Sequence, residues 1–237
     1  MVVSLTDAGR DLVLDESARR LAVTVDVVWS PGTTFVPREG ADAVVVVRLG
    51  AACVVLAPEP ALARLRGVAS DLLVDVRAVT AGVSPLEPSP IGVATLGYRD
   101  IPTVCSAGDA VDLADSAAVE ELQARCGADE WDESGLASML PRWVSRTADG
   151  RPAALAGHEL WGAHIAQLGT VADPAQRRQG HALSAASAAV EHAVGGCGLV
   201  AQWRSRVGNT ASERLSERLG FTTLGLQLAV ALKRVDG

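Results

Sequence analysis

Thr170-Val-Ala-Asp-Pro-Ala-Gln-Arg-Arg-Gln-Gly-His-Ala182 is the stretch on which the reading of this chain turns. An apolar run closes at Pro174. After Gly180, Leu183, Ala186, Val190 and Val194 recur at helical spacing, and Gly195-Gly196 ends the pattern. This is a strand, a tight turn and then a helix. Inside the turn lie Arg177, Arg178, Gln179, Gly180, His181 and Ala182. Small residues there let backbone come close to a ligand, and the first turn of the new helix directs outward N–H groups that have no partner within the helix. The helix dipole adds partial positive charge and the two arginines add full charges, so a pyrophosphate is the natural guest.

The order Arg177-x-x-Gly180-x-Ala182, three residues after a proline that closes a strand, resembles the acetyl-coenzyme A signature of the GNAT N-acetyltransferase superfamily. A second block agrees with it: Asn209-Thr-Ala-Ser212 opens a helical pattern that runs to Leu219-Gly220-Phe221, similar to the family's next helix with its Gly-Phe ending. The resemblance covers residues 110 to 235. It implies an α/β fold of the α+β type, with a mixed, mostly antiparallel central sheet flanked by helices and a smaller α+β domain before it.

The resemblance also implies roles. Thr170, Val171 and Ala172 match the strand whose backbone receives the pantetheine arm and acetyl group, where that strand splays from its neighbour. Arg177, Arg178, Gln179, Gly180, His181 and Ala182 match the pyrophosphate turn. Asn209 and Ser212 match positions near coenzyme A, although both serve equally well as helix caps. Glu130, Trp131, Asp132 and Glu133 fall in the segment that overlies the acceptor site in this fold; an acidic loop is also simply a solvated one. Many members place a tyrosine four residues before the glycine of the Gly-Phe ending, as acid for the departing thiolate. Here that position is Ser216. A serine hydroxyl hydrogen-bonds or holds a water but is a poor proton donor. Glu159 and His164, on expected strands bordering the acceptor site, are the candidate bases, and water-mediated deprotonation ranks ahead of both.

Composition narrows the class. The chain has 237 residues, 49% of them hydrophobic, which fills one large or two modest cores. With 28 acidic against 21 basic residues the net charge is −7, and nonspecific nucleic-acid binding, which wants a basic face, is not expected. Cys53, Cys105, Cys126 and Cys197 are widely spaced and suggest buried thiols rather than a zinc site or disulfide framework. His158, His164, His181 and His192 lack ligand spacing on one helix face, so no metal is expected. A basic segment followed by an apolar run is missing near Met1, and no apolar stretch approaches bilayer length, which points to a cytoplasmic protein.

Upstream of the turn, residues 7–23 predict an amphipathic helix. Residues 23–29, 43–47 and 52–56 are β-branched runs between Pro-Gly and Leu-Gly breaks and predict strands. Residues 60–73 predict a helix, and 91–96 a strand ending near Tyr98, the only tyrosine; Tyr98 falls outside the catalytic half and is expected to pack. These elements make an N-terminal α+β domain over 1–104, a supporting domain, a substrate wall or a degenerate half of the GNAT fold, with its boundary at 102–108. The domain over 105–237 then runs through a strand at 111–113, a helix capped by Ser116, a second helix at 131–140, and strands at 143–147 and 153–161 around Asp149-Gly150. Strands at 163–171 and 199–203, a helix in which Ala211, Leu215 and Leu219 face inward, and a final hairpin over 222–232 complete it.

The expected activity is transfer of an acetyl group from acetyl-coenzyme A to a primary amine of a small molecule, by direct attack and without a covalent enzyme intermediate. A protein N-terminus or lysine is the alternative acceptor, and a noncatalytic coenzyme A-binding sensor is the alternative class. The expected partner is the small-molecule amine, with no nucleic acid and no membrane. A homodimer is left open.

Overall fold

The structure, a computed structural model, describes residues 5–102 and 111–233. In chain order it holds α1 (Asp7–Leu21), α2 (Val25–Trp29), β1 (Gly32–Pro37), β2 (Ala43–Leu49), β3 (Ala52–Ala57), α3 (Glu59–Leu65), α4 (Val76–Gly82) and β4 (Ser89–Arg99). There follow β5 (Val111–Leu113), α5 (Ser116–Arg125), α6 (Ala128–Ser134), β6 (Arg142–Arg146), β7 (Pro152–Trp161) and β8 (Ile165–Ala172). The chain closes with α7 (His181–Glu191), β9 (Val200–Arg206), α8 (Thr210–Arg218) and β10 (Thr222–Ala231). Two compact units alternate along it. The first comprises Met1–Val13, Tyr98–Trp203 and Ala211–Thr222, and the second Leu14–Gly97, Arg204–Thr210 and Thr223–Gly237. Of the boundary expected at 102–108, all but Pro102 lies outside the described residues, as does Cys105.

In the second unit the strands run β1-β3-β2-β10-β4. β2 and β3 form an antiparallel hairpin whose turn uses Gly50 at φ +57, a backbone state that a side chain resists. Val44, Val46, Val55, Leu62, Leu65, Val79 and Leu228 are buried together against this sheet, each worth about 1.5–3 kcal/mol on burial.

In the first unit the order is β9-β8-β7-β6-β5, antiparallel throughout except that β8 and β9 are parallel. The sheet is covered on both faces, and strand alternation explains how. Ala156, Ala166, Leu168 and Trp203 pack against Ala185, Ala186, Ala189 and Val190 of α7. Leu155 and Val171, on the opposite side, pack against Leu122, Trp131, Leu136 and Met139 of the α5–α6 segment. The chain approaches the sheet so closely there that a Cβ on Gly169 would collide with the Ser134 carbonyl oxygen and the Met139 sulfur.

Several elements differ from expectation for local reasons. Residues 25–29 are helical, not extended, because Thr24 and Ser30 bracket one turn that buries Val28; β-branched residues prefer strands only as far as packing agrees. The helix expected over 60–73 stops at Leu65, and α4 starts anew where Asp75 accepts from the N–H groups of Arg77 and Ala78. Asp115, not Ser116, caps α5, accepting from the Ala118 N–H. α6 spans Ala128–Ser134 and cannot reach residue 140, since Gly135 takes the left-handed conformation at φ +69 that ends helices. β10 is one strand paired with β2 rather than a hairpin. In α8, Leu219 just beyond its end is buried, Leu215 is half-buried and Ala211 is exposed. β1 was not anticipated at all.

Candidate active site

The turn after β8 is built by its own backbone. Asp173, buried at the strand's end, accepts from the Ala175 N–H at 2.9 Å and starts a short 3-10 turn, Pro174–Gln176. Its other oxygen lies 3.0 Å from Arg125 Nε. That N–H makes no hydrogen bond, so the contact is Coulombic. Arg178 then takes φ +64 and Gly180 φ +99, and α7 begins with glycine as its N-cap and no acidic residue in its first turn. A side chain at the N-cap would ordinarily occupy the first N–H groups; glycine has none to offer them. Nothing lies within 4 Å of where a Gly180 Cβ would be.

Of the two arginines, Arg177 is already engaged. Its Nη2 donates to both carboxylate oxygens of Glu130 on α6, at 2.8 and 2.6 Å. Both side chains are 47% exposed, so the pair contributes at most about 1 kcal/mol. Glu130 thus faces the turn, while Trp131 is buried in the core beneath α6 and offers no surface to an acceptor.

On β8, Thr170 is half-buried and donates its hydroxyl to the Leu155 carbonyl, Val171 is buried, and Ala172 is half-buried. The parallel pairing of β8 with β9 comprises Ile165↔Val200, Ala166↔Ala201 and Gln167↔Gln202. β8 then runs on for five more residues to Ala172 without this neighbour. Its β9-facing amides and carbonyls along that length are the groups an extended ligand could pair with.

The remaining candidates scatter. Ser212 accepts from Trp203 Nε1 at 3.0 Å, and Ser216 is half-buried on α8 with its carbonyl receiving the Phe221 N–H. Asn209 belongs to the second unit. Glu159 lies on β7, its carboxylate held by Trp161 Nε1 at 2.7 Å and Ser138 Oγ at 3.1 Å. Its register partner is Gln167, four residues from Val171, or ~13 Å along the strand. His164 sits in the turn between β7 and β8, not on a strand, and its carbonyl accepts from Val200. That is ~23 Å from Val171 by the same measure.

His181 opens α7 with its ring buried, Nδ1 2.9 Å from Ser145 Oγ on β6. Its contribution to the turn is therefore through backbone. His158 Nε2 lies 3.0 Å from His192 Nδ1, and Trp143 stacks on the His158 ring at 5.8 Å. Burial, and then the neighbouring His192, hold the His158 pKa down. Cys197 Sγ is 3.7 Å from the same His192 nitrogen. No periodicity announces this group, because it joins a strand to the end of α7. Tyr98 packs in the core as expected, but it belongs to the first unit, and its buried hydroxyl accepts from Gln202 Nε2 at 2.8 Å.

No family model matches the chain, and no curated protein matches it. Solved structures do. An acetyltransferase from the GNAT family of Colwellia psychrerythraea is 16% identical over 68% of this chain and 70% of its own, at a TM-score of 0.47. A GCN5-related N-acetyltransferase from Kribbella flavida is 18% identical over 62% and 60%, at 0.47. A third, yncA from Salmonella typhimurium with its cofactor acetyl-CoA, is 20% identical over 54% of this chain and 96% of its own, at 0.37.

Among the described residues, no group of three or more His, Cys, Asp or Glu side chains could hold a metal ion, and no helix is long and apolar enough to cross a membrane.

Proposed function

We propose that this chain is a GNAT-type N-acetyltransferase that moves an acetyl group from acetyl-coenzyme A to a primary amine of a small molecule by direct transfer. The observation that carries the proposal is the parting of β8 from β9 after Gln167 and Gln202, with β8 followed, through the turn at 173–180, by a glycine-capped helix N-terminus. A pyrophosphate on the backbone of residues 178–182 would point an extended pantetheine arm along Thr170–Ala172. Both demands are met by backbone, which is why side-chain identity matters little on β8.

The chemistry needs few side chains. The neutral amine attacks the thioester carbonyl, an N–H of the free β8 edge stabilises the oxyanion, the C–N bond forms and the C–S bond breaks. The proton lost by the amine passes to water. A thiolate of pKa about 8.5 leaves without full protonation at modest cost, so Ser216 need not act as an acid. Of the N-terminal domain expected over 1–104, the part in the second unit, Leu14–Gly97, is proposed as a support with no cofactor site of its own.

The test is release of coenzyme A thiol from acetyl-coenzyme A in the presence of a panel of amines, with the acetylated product identified by mass. Coenzyme A binding without acetylation of any amine would replace this reading by the noncatalytic sensor, which the serine at position 216 favours.

A further inference from the structure

We infer that a row of polar side chains crossing four strands, Glu159, Gln167, Gln202 and Tyr98, holds the amino group of the acceptor and selects a primary amine over a secondary one. The inference rests on the acetyltransferase reading above and locates its second substrate.

The row follows from register. Glu159 on β7 is the partner of Gln167 on β8, and Gln167 is the partner of Gln202 on β9. Register partners project to the same face of a sheet, so the three side chains stand in line, and Gln202 continues the line by donating to the Tyr98 hydroxyl at 2.8 Å. The neighbouring positions on this face, Ile165 and Val200, are buried and apolar. Gln167, Gln202 and Tyr98 are only 7%, 5% and 3% exposed.

Two atoms of this row are unmatched. Gln167 Nε2 donates to the Leu168 carbonyl at 2.9 Å, and Gln202 Nε2 to Tyr98, but neither Gln167 Oε1 nor Gln202 Oε1 has a hydrogen-bond partner. Buried amide oxygens without donors are uncommon because the fold gains by satisfying or replacing them. Two of them stand at the last rung before β8 and β9 part, the point beyond which β8 is free to receive an acyl donor.

What they lack defines the ligand. Both atoms are acceptors, so an anion is repelled and a donor is required. A hydroxyl brings one donor. A neutral primary amine brings two N–H bonds and keeps its lone pair for attack, while a secondary amine brings only one N–H bond. Glu159, half-buried and fixed by Ser138 and Trp161, supplies the one charged acceptor of the row, suited to meeting the amine as an ammonium ion before it goes deeper.

Gln167→Leu and Gln202→Leu keep the volume and remove the unmatched oxygens. Each is expected to leave the melting temperature unchanged or raised and calorimetric coenzyme A affinity unchanged. KM for primary amines (benzylamine, spermidine and alaninamide as probes) should rise at least about tenfold, and the preference for benzylamine over N-methylbenzylamine should shrink. Unchanged KM and unchanged preference in both variants overturn the inference. If the unaltered protein acetylates no amine, the acetyltransferase reading fails separately. Titration of benzylamine into the coenzyme A complex then decides: binding lost in Gln167→Leu supports the row, and equal or absent binding in the unaltered protein overturns it.

Discussion

Two of the strand–helix joints in this molecule, β3 into α3 and β8 into α7, are opposites. After β3 the chain turns within one residue, Pro58, and Glu59 enters the first turn of α3. The carboxylate of Glu59 sits at the positive end of its own helix and is bonded to Arg66, which holds its pKa down. After β8 the chain takes eight residues, 173–180, to reach a helix with glycine at its cap and no acid in its first turn. Neither cap residue, Pro58 or Gly180, bonds its helix through a side chain, but the first joint sets a carboxylate and a proline in the opening turn of its helix and the second sets neither there. The second brings two arginines and a helix terminus with a glycine cap to one place in the chain, and a strand–helix junction suits an anion best when its own first turn carries no acid.

The strongest way to break this contrast is Gly180→Val. At φ +99 a β-branched residue is strained, and its side chain would fill the open side of the turn, so coenzyme A affinity measured by calorimetry should fall at least about a hundredfold, ~2.7 kcal/mol. Retained affinity would remove the main support for the site. In the unaltered protein the same titration should give one coenzyme A per chain, because the β3–α3 joint carries an acid in its first turn and no phosphate turn before it; a stoichiometry of two would erase the distinction.

The far ends of the two helices differ as well, and pH separates them. α3 is tied back to its start by Arg66, whereas the chain leaving α7 carries His192 against buried His158. Burial holds His158 below the ordinary imidazole value of about 6.5. The unfolded chain takes up a proton that the folded one resists. This contribution to stability is therefore complete above about pH 6.5 and is lost as the pH falls below it, at no more than about 1.4 kcal/mol per pH unit. Thermal denaturation followed from pH 7.5 to 5.5 should show a shallower acid decline in His158→Gln; equal slopes would mean that other groups govern it.

Smaller effects sharpen the picture. Ser216→Ala should retain turnover within about tenfold, ~1.4 kcal/mol of barrier, and loss of all turnover with coenzyme A still bound would make Ser216 the acid. Glu130→Gln should tighten coenzyme A by up to about fivefold, since Arg177 is released from a pair worth at most about 1 kcal/mol. That gain should fade at high salt, and weaker binding would show that Glu130 orients Arg177 for the phosphate.

Much of the first unit was legible from residue order. The apolar run that opens 153–161, the Asp149-Gly150 turn, and the apolar spacing after Gly180 each act within a few positions, so β7, β8 and α7 emerge close to where expected. α2 and β1 did not, because a short β-branched run takes whichever form its packing rewards.

The sequence by itself determined the chemistry of the turn: arginines, a glycine able to adopt positive φ, and a helix start are all contained in residues 177–183. Only the tertiary structure decided what those groups meet. Arg177 finds Glu130 across 47 residues, Tyr98 finds Gln202 across 104, and His158 finds His192 across 34. Local conformation is set by neighbours a few bonds away, which composition and spacing reveal. A contact between distant residues depends on strand register and on which face each side chain takes, and a shift of one residue would reverse that face.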